Sequence, residues 1–94
     1  MNSLQKQVDD FMKEAKWDYW HTAKIIAKIK EETLEVEAEL KEGKTDEEKL
    51  QTEIGDLSYA LSCLANRLGF DLDVCLEKAI KKNHNRDVIR DGKK

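Results

Sequence analysis

Between residues 26 and 68 the apolar side chains fall into two runs that step alternately by three and four, interrupted once. The first run is Ile26, Ile29, Thr33, Val36 and Leu40, with a threonine in one apolar position. The second is Leu50, Ile54, Leu57, Leu61, Leu64 and Leu68. Such spacing draws one stripe along an α-helix and excludes a half-buried strand, whose faces alternate with period two. The chain has no proline to break either helix. Gly43 is the expected stop of the first and Gly69 of the second. Thr45-Asp46-Glu47-Glu48 has the form of a capping box, with Thr45 at the N-cap and Glu48 reaching back. A connection this short makes the two helices antiparallel neighbours.

The flanks extend the pattern. Leu4, Val8, Phe11 and Ala15 predict a first helix over residues 3–15 with Ser3 as N-cap, followed by a corner at residues 16–20. Leu72, Cys75, Leu76, Ala79 and Ile80 predict a last helix that starts near Asp71 and frays after Asn83. The expected fold is all-α: a single domain over residues 1–94, four helices, with the middle two forming an antiparallel hairpin. A 94-residue chain builds a modest core, so a second subunit completing it is expected. There is no run of 18 apolar residues and no charged segment leading into an apolar one at the start, which predicts a soluble, cytoplasmic protein with no membrane partner. The net charge of −3 argues against gripping a nucleic-acid backbone. Cys63 and Cys75, twelve positions apart without a CxxC pair, read as buried, reduced thiols.

Charge is unevenly placed: residues 31–56 are acidic, and residues 78–94 carry seven Lys and Arg. Within the acidic stretch, Glu32 and Glu35 lie three apart on the second helix, and Glu53 and Asp56 lie three apart on the third. Each pair therefore occupies one face, and each sits one residue before its helix's apolar positions, so both flank their stripes on the same side. Glu32 and Asp56 are equidistant from Lys44, as are Glu35 and Glu53. Folding the hairpin about that point brings all four to matching heights, roughly 10–20 Å from the turn. Four carboxylates beside an apolar stripe repel one another. A hard divalent cation resolves this, and Mg²⁺ is commonly held by a few carboxylates, waters and substrate phosphates. The alternative is that these acids only solvate an exposed helix face. Gly55, between Glu53 and Asp56, costs about 1 kcal/mol in a helix. It either admits a close approach by a ligand or backbone, or is a packing glycine.

Glu31-Glu32-Thr33-Leu34-Glu35 followed by Glu53-Ile54-Gly55-Asp56 resembles the EExxE…ExxD signature of the MazG-type nucleotide pyrophosphohydrolases, and Lys82-Asn83-His84-Asn85-Arg86 is similar to their KNxxR element. The likeness covers residues 17–86 and is closest to short, single-domain bacterial members. It implies a helical bundle that forms a homodimer or a dimer of dimers. It also implies Mg²⁺-dependent hydrolysis of a nucleoside triphosphate to the monophosphate and pyrophosphate, with Mn²⁺ as a substitute ion. By position, Glu32, Glu35, Glu53 and Asp56 would be metal ligands and Glu31 an auxiliary carboxylate. Lys82, Asn83 and Arg86 would meet phosphates; their other reading is a basic helix end complementing the dipole. Lys28, one turn before Glu32, is a further phosphate candidate. Trp17 or Trp20 could stack on the base or anchor the helix start, and Tyr59 could line the pocket or pack. His21 and His84 are weaker candidates. No general base is singled out.

The resemblance implies a role in removing surplus or non-standard nucleotides. The phosphoribosyl-ATP pyrophosphohydrolases are the neighbouring enzyme reading, and a non-catalytic helical interaction module is the reading from another class.

Overall fold

The computed structural model describes residues 3–14, 21–41, 43 and 46–90. Four α-helices follow one another: α1 (Ser3–Glu14), α2 (Thr22–Lys41), α3 (Glu47–Leu68) and α4 (Leu72–Asn83). A π-helix, His84–Arg90, then continues α4 where fraying was expected. Gly43 and Gly69 both take positive φ, 71° and 74°, which suits a glycine beyond a helix end. The α3 N-cap is Asp46, whose Oδ1 accepts from Lys49 N at 3.2 Å, one residue later than the capping box placed it. Thr45 lies outside the described residues. Ser3 is the first residue of α1 rather than a cap before it. At the far end of α3, Gly69 N donates to Asn66 O and Phe70 N to Ala65 O, closing the last turn before Asp71 caps α4.

The helices pack as expected in order but only partly in face. α2 and α3 form the hairpin, and α1 lies against α3. The core is small: Met12, Ile25 and Cys63, with Val8, Ile29, Tyr59 and Leu64 packed around them. Val8, Ile29 and Leu64 of the predicted stripes thus face inward, but the most buried positions on α1, α2 and α3 are displaced from those stripes. α1 buries Gln5 and Met12 and exposes Leu4 and Phe11. α2 buries Ile25, Glu32 and Glu39, while Ile26 and Leu40 are exposed. α3 buries Ala60, Ser62, Cys63 and Ala65, while Ile54, Leu61 and Leu68 are exposed. The apolar stripes are thus wider than one partner helix covers, and their richest edge faces outward.

Gln5 explains how a polar residue is buried at 1% exposure without loss. Its Nε2 donates to Asn66 Oδ1 (2.8 Å) and Phe70 O (2.9 Å), and its Oε1 accepts from Leu72 N (2.8 Å). Asn66 Nδ2 donates back to Gln5 O at 3.3 Å. The amide is used on both sides, as a buried amide must be. It fastens α1 to the turn between α3 and α4.

Beyond that turn α4 buries none of its residues, and Val74, Leu76 and Ile80 are exposed. Cys75, expected to be buried, is exposed for the same reason, whereas Cys63 sits in the core. With so small a core, single truncations are felt strongly. Ile25→Ala is expected to cost about 2–5 kcal/mol, read as a lower urea midpoint with little change in the m-value.

Candidate functional site

The hairpin register decides which side chains meet. Ile25 and Cys63 share the core, and Glu39 and Lys49 form an ion pair at 3.1 Å; both pairs are equidistant from Lys44. The same register puts Glu32 of α2 opposite Glu53 and Asp56 of α3. Each of these three offers a carboxylate oxygen, and those oxygens lie within 4.8 Å of one another. Glu32 is buried, Glu53 half-buried and Asp56 exposed, so the cluster opens on one side. Glu35 falls outside this closest group, although its charge reaches Glu53.

The charge is incompletely compensated. The Glu53 carboxyl is held above its ordinary range first by desolvation, then by the charges of Glu35, Asp56 and Glu32; Lys49 works in the opposite direction. On the α2 side, Lys28 Nζ reaches Glu32 at 3.0 Å and Glu31 at 3.9 Å. Its ammonium is held more firmly protonated mainly by the hydrogen bond to Glu32. Lys28 therefore stands on the acidic cluster, as its counter-charge. Glu31 is largely exposed and touches the cluster only through this lysine.

Beside the carboxylates lies a cavity of about 330 Å³ lined by Ile25, Lys28, Glu32, Asp56, Tyr59, Ala60 and Cys63. Its polar rim and apolar wall are the usual composition of a small-molecule site, and its size is at the low end for one. Tyr59 meets Phe11 edge-on, with ring centroids 6.5 Å apart, which fixes the wall of this cavity against α1. No other segment of the chain presses against Gly55: a Cβ there would have no neighbour within 4 Å outside its own helix among the described residues.

The basic element lies elsewhere on the chain. Asn83 Nδ2 donates to Ala79 O (2.9 Å), and Asn83 Oδ1 accepts from Arg86 Nη2 (2.8 Å). Arg86 Nε also donates to Asp87 Oδ1 at 2.7 Å. Asn83 and Asp87 thus orient the guanidinium, while Lys82 is exposed. α4 runs straight on into the π-helix, and α4 makes no extensive packing with the α2–α3 hairpin among the described residues. Among the described residues, the hydrogen bonds of Asn83 and Arg86 run to Ala79, to Asp87 and to each other, and none joins them to the carboxylates. Trp17 and Trp20 lie outside the described residues. The carbonyl of His21 accepts the first hydrogen bonds of α2, from Lys24 N and Ile25 N.

Tyr59 lines the cavity, one of its two expected roles, while three features were not foreseen: Ile25 and Cys63 beside it in the wall, the Asp87 partner of Arg86, and the Glu39–Lys49 pair. The last was readable, since 39 and 49 are centred on Lys44 as the carboxylates are. The wall was not, because it depends on which edge of a broad apolar stripe turns inward.

The donor set suits a hard cation: carboxylate oxygens only, converging from two helices, with one of them pushed toward protonation by the others. Comparison with known proteins agrees with the motif. Residues 21–89 match the model of the MazG nucleotide pyrophosphohydrolase domain. The chain is 29% identical to the uncharacterized protein YpjD of Bacillus subtilis (strain 168), over 96% of its own length and 88% of that protein. It is 34% identical to the nucleoside triphosphate pyrophosphohydrolase of Escherichia coli (strain K12), over 74% of this chain but 27% of that protein. The chain thus aligns with only about a quarter of the Escherichia coli enzyme. No solved structure matches it.

Proposed function

Because this chain belongs to the MazG nucleotide pyrophosphohydrolase family, we propose that it hydrolyses a nucleoside triphosphate to the monophosphate and pyrophosphate. The carrying observation is the convergence of Glu32, Glu53 and Asp56 from two helices to within 4.8 Å. With Glu35 one turn away, these residues would hold Mg²⁺, or Mn²⁺ in its place. An ion bound there neutralises phosphate charge and polarises a phosphoryl oxygen.

Release of pyrophosphate requires water to bond to the α-phosphorus while the bridging bond to the β-phosphate breaks. The side chains serve that step by position. Glu32, Glu53 and Asp56 would hold the cation to which the triphosphate binds, with Glu31 as an auxiliary carboxylate. Lys28, already at the cluster, is placed to meet phosphate oxygens once Glu32 has another partner. Lys82, Asn83 and Arg86 would take further phosphate oxygens, with the guanidinium oriented by Asn83 and Asp87. The apolar wall of Ile25, Tyr59, Ala60 and Cys63 offers dry surface for the nucleoside.

We also propose that the working form is a homodimer or homotetramer. The radius of gyration is 16.0 Å, against about 12 Å for a compact domain of this length. Assembly would cover the outward apolar stripes and bring an α4 basic element to the carboxylates. A role in clearing surplus or non-standard nucleotides accords with such a small enzyme. Among the described residues, no helix is long and apolar enough to cross a membrane.

The test is a panel of nucleoside triphosphates, damaged nucleotides and phosphoribosyl-ATP, with Mg²⁺ or with EDTA, followed by pyrophosphate assay. Metal-dependent pyrophosphate release from one class is the expected result and ranks the substrates. Orthophosphate as product overturns the bond assignment. No release from folded protein overturns the enzyme reading and leaves the interaction module.

A further inference from the structure

α2 buries two glutamates, Glu32 and Glu39, at 7% and 6% exposure. They lie seven residues apart, two turns along the same face. Glu32 belongs to the carboxylate cluster. Glu39 lies about 10 Å farther along the helix, outside that cluster, and its carboxylate meets Lys49 Nζ at 3.1 Å. This ion pair joins two helices. By contrast, Asp9–Lys13, Lys28–Glu32 and Glu37–Lys41 each span one turn of a single helix.

Glu39 is buried while the Lys49 side chain keeps 57% exposure, and such a pair is a weak source of stability. Its best-attested use is to specify one register among several. The hairpin has that problem. Both helices carry apolar residues every three or four positions, so sliding one helix by a turn preserves apolar contact. It also moves the two halves of the carboxylate cluster apart by about 5 Å, when a site tolerates about 0.5 Å. In the observed register Glu39 faces Lys49. One turn toward the α3 N-terminus it would face residues 45–46, which include Asp46. One turn the other way it would face residues 52–53, which include Glu53. Either slip leaves a buried carboxylate against an acid or without a cation.

We infer that Glu39 and Lys49 are positioning residues: their ion pair locks α2 against α3 in the register that assembles Glu32, Glu53 and Asp56. The inference rests on the proposed metal site, and its test reads that site without turnover. Mn²⁺ alone is titrated calorimetrically into the full chain, and thermal melts are recorded without metal. The double variant Glu39→Leu/Lys49→Met exchanges the pair for apolar contact. It is expected to melt near the wild-type temperature and to bind Mn²⁺ about tenfold more weakly. Lys49→Arg keeps the pair and is expected to bind within about twofold of wild type, as conservative rescue requires.

If the double variant does not fold, Lys49→Gln answers the question by sign. Removing a positive charge near Glu53 favours a cation electrostatically, so weaker binding reports lost geometry and tighter binding overturns the inference. Wild-type affinity in the double variant also overturns it, provided Glu53→Gln abolishes binding and so shows the site to be real. Absence of Mn²⁺ binding by the wild type overturns the metal site itself and this inference with it.

Discussion

Replacing Glu53 by Gln is expected to lower metal-dependent pyrophosphate release by about two orders of magnitude or more, while the metal-free protein melts no lower than wild type. Both halves follow from the same geometry. Glu53 supplies one of the three clustered carboxylate oxygens, and Gln keeps its shape but loses the charge that a cation requires. Without metal, that charge is a liability: burial and the neighbouring charges of Glu35, Asp56 and Glu32 already favour its protonated form. An amide relieves the repulsion, so lost activity cannot be ascribed to unfolding. The check is a pair of melts beside the assay. Mg²⁺ at 100 times its dissociation constant should stabilise the wild type by about 2.7 kcal/mol and leave Glu53→Gln unmoved. A variant that retains activity, or still gains stability from Mg²⁺, shows that Glu53 is not a ligand.

How far the sequence disclosed this site depends on which physical signal carried each part. The helix boundaries were legible to within about a residue where glycines with positive φ and the Asp71 cap act locally, while the α3 cap fell on Asp46, one residue past the expected Thr45. The hairpin pairing was legible because a short turn keeps α2 and α3 adjacent and antiparallel, and Glu32, Glu53 and Asp56 meet where counting from Lys44 puts them. The inward faces were legible in part: Val8, Ile29 and Leu64 of the predicted stripes pack on the core, but the most buried positions were not foreseen. On α2 and α3, hydropathy favours turning Ile26, Leu40, Ile54, Leu61 and Leu68 inward, yet these are exposed. The chain instead folds on Ile25, Glu32, Glu39, Ala60 and Cys63, a face made of small, charged and a few apolar side chains. A periodicity argument ranks stripes by hydrophobicity and does not know which surface a stripe serves. The burial of Gln5 was hidden for a related reason: its four-way hydrogen bonding joins residues more than sixty positions apart. The basic element was readable as a motif, but its distance from the carboxylates in a single chain was not.

Leu61→Asp is expected to convert the assembled protein to a monomer, and the displaced stripes are the reason. Ile54, Leu61 and Leu68 recur every seven residues along α3, all at least 39% exposed, with Leu61 in the middle. A heptad of exposed leucine and isoleucine is the pattern of a helix seam awaiting a partner. The total accessible surface points the same way. It is 7418 Å², whereas a folded monomer of this mass exposes about 5,600 Å². The roughly 1,800 Å² of surplus on each chain is about twice what one partner gives to a standard interface, and is in the range of an obligate one. A second copy of this chain presents the same stripe and can pair with it about a two-fold axis. Burying a leucine contributes about 1.5–3 kcal/mol, and an unpaired aspartate in its place adds a desolvation penalty. Association should therefore weaken by at least about 100-fold. Sedimentation equilibrium across a dilution series measures this directly. If α4 of one copy must reach the carboxylates of another, pyrophosphate release should fall in proportion to the monomer formed, while Mn²⁺ binding to the α2–α3 cluster survives. A wild-type monomer, or a Leu61→Asp protein that sediments like wild type, would mean that the outward stripe is not the interface. Loss of assembly with full activity would instead place the whole site within one chain.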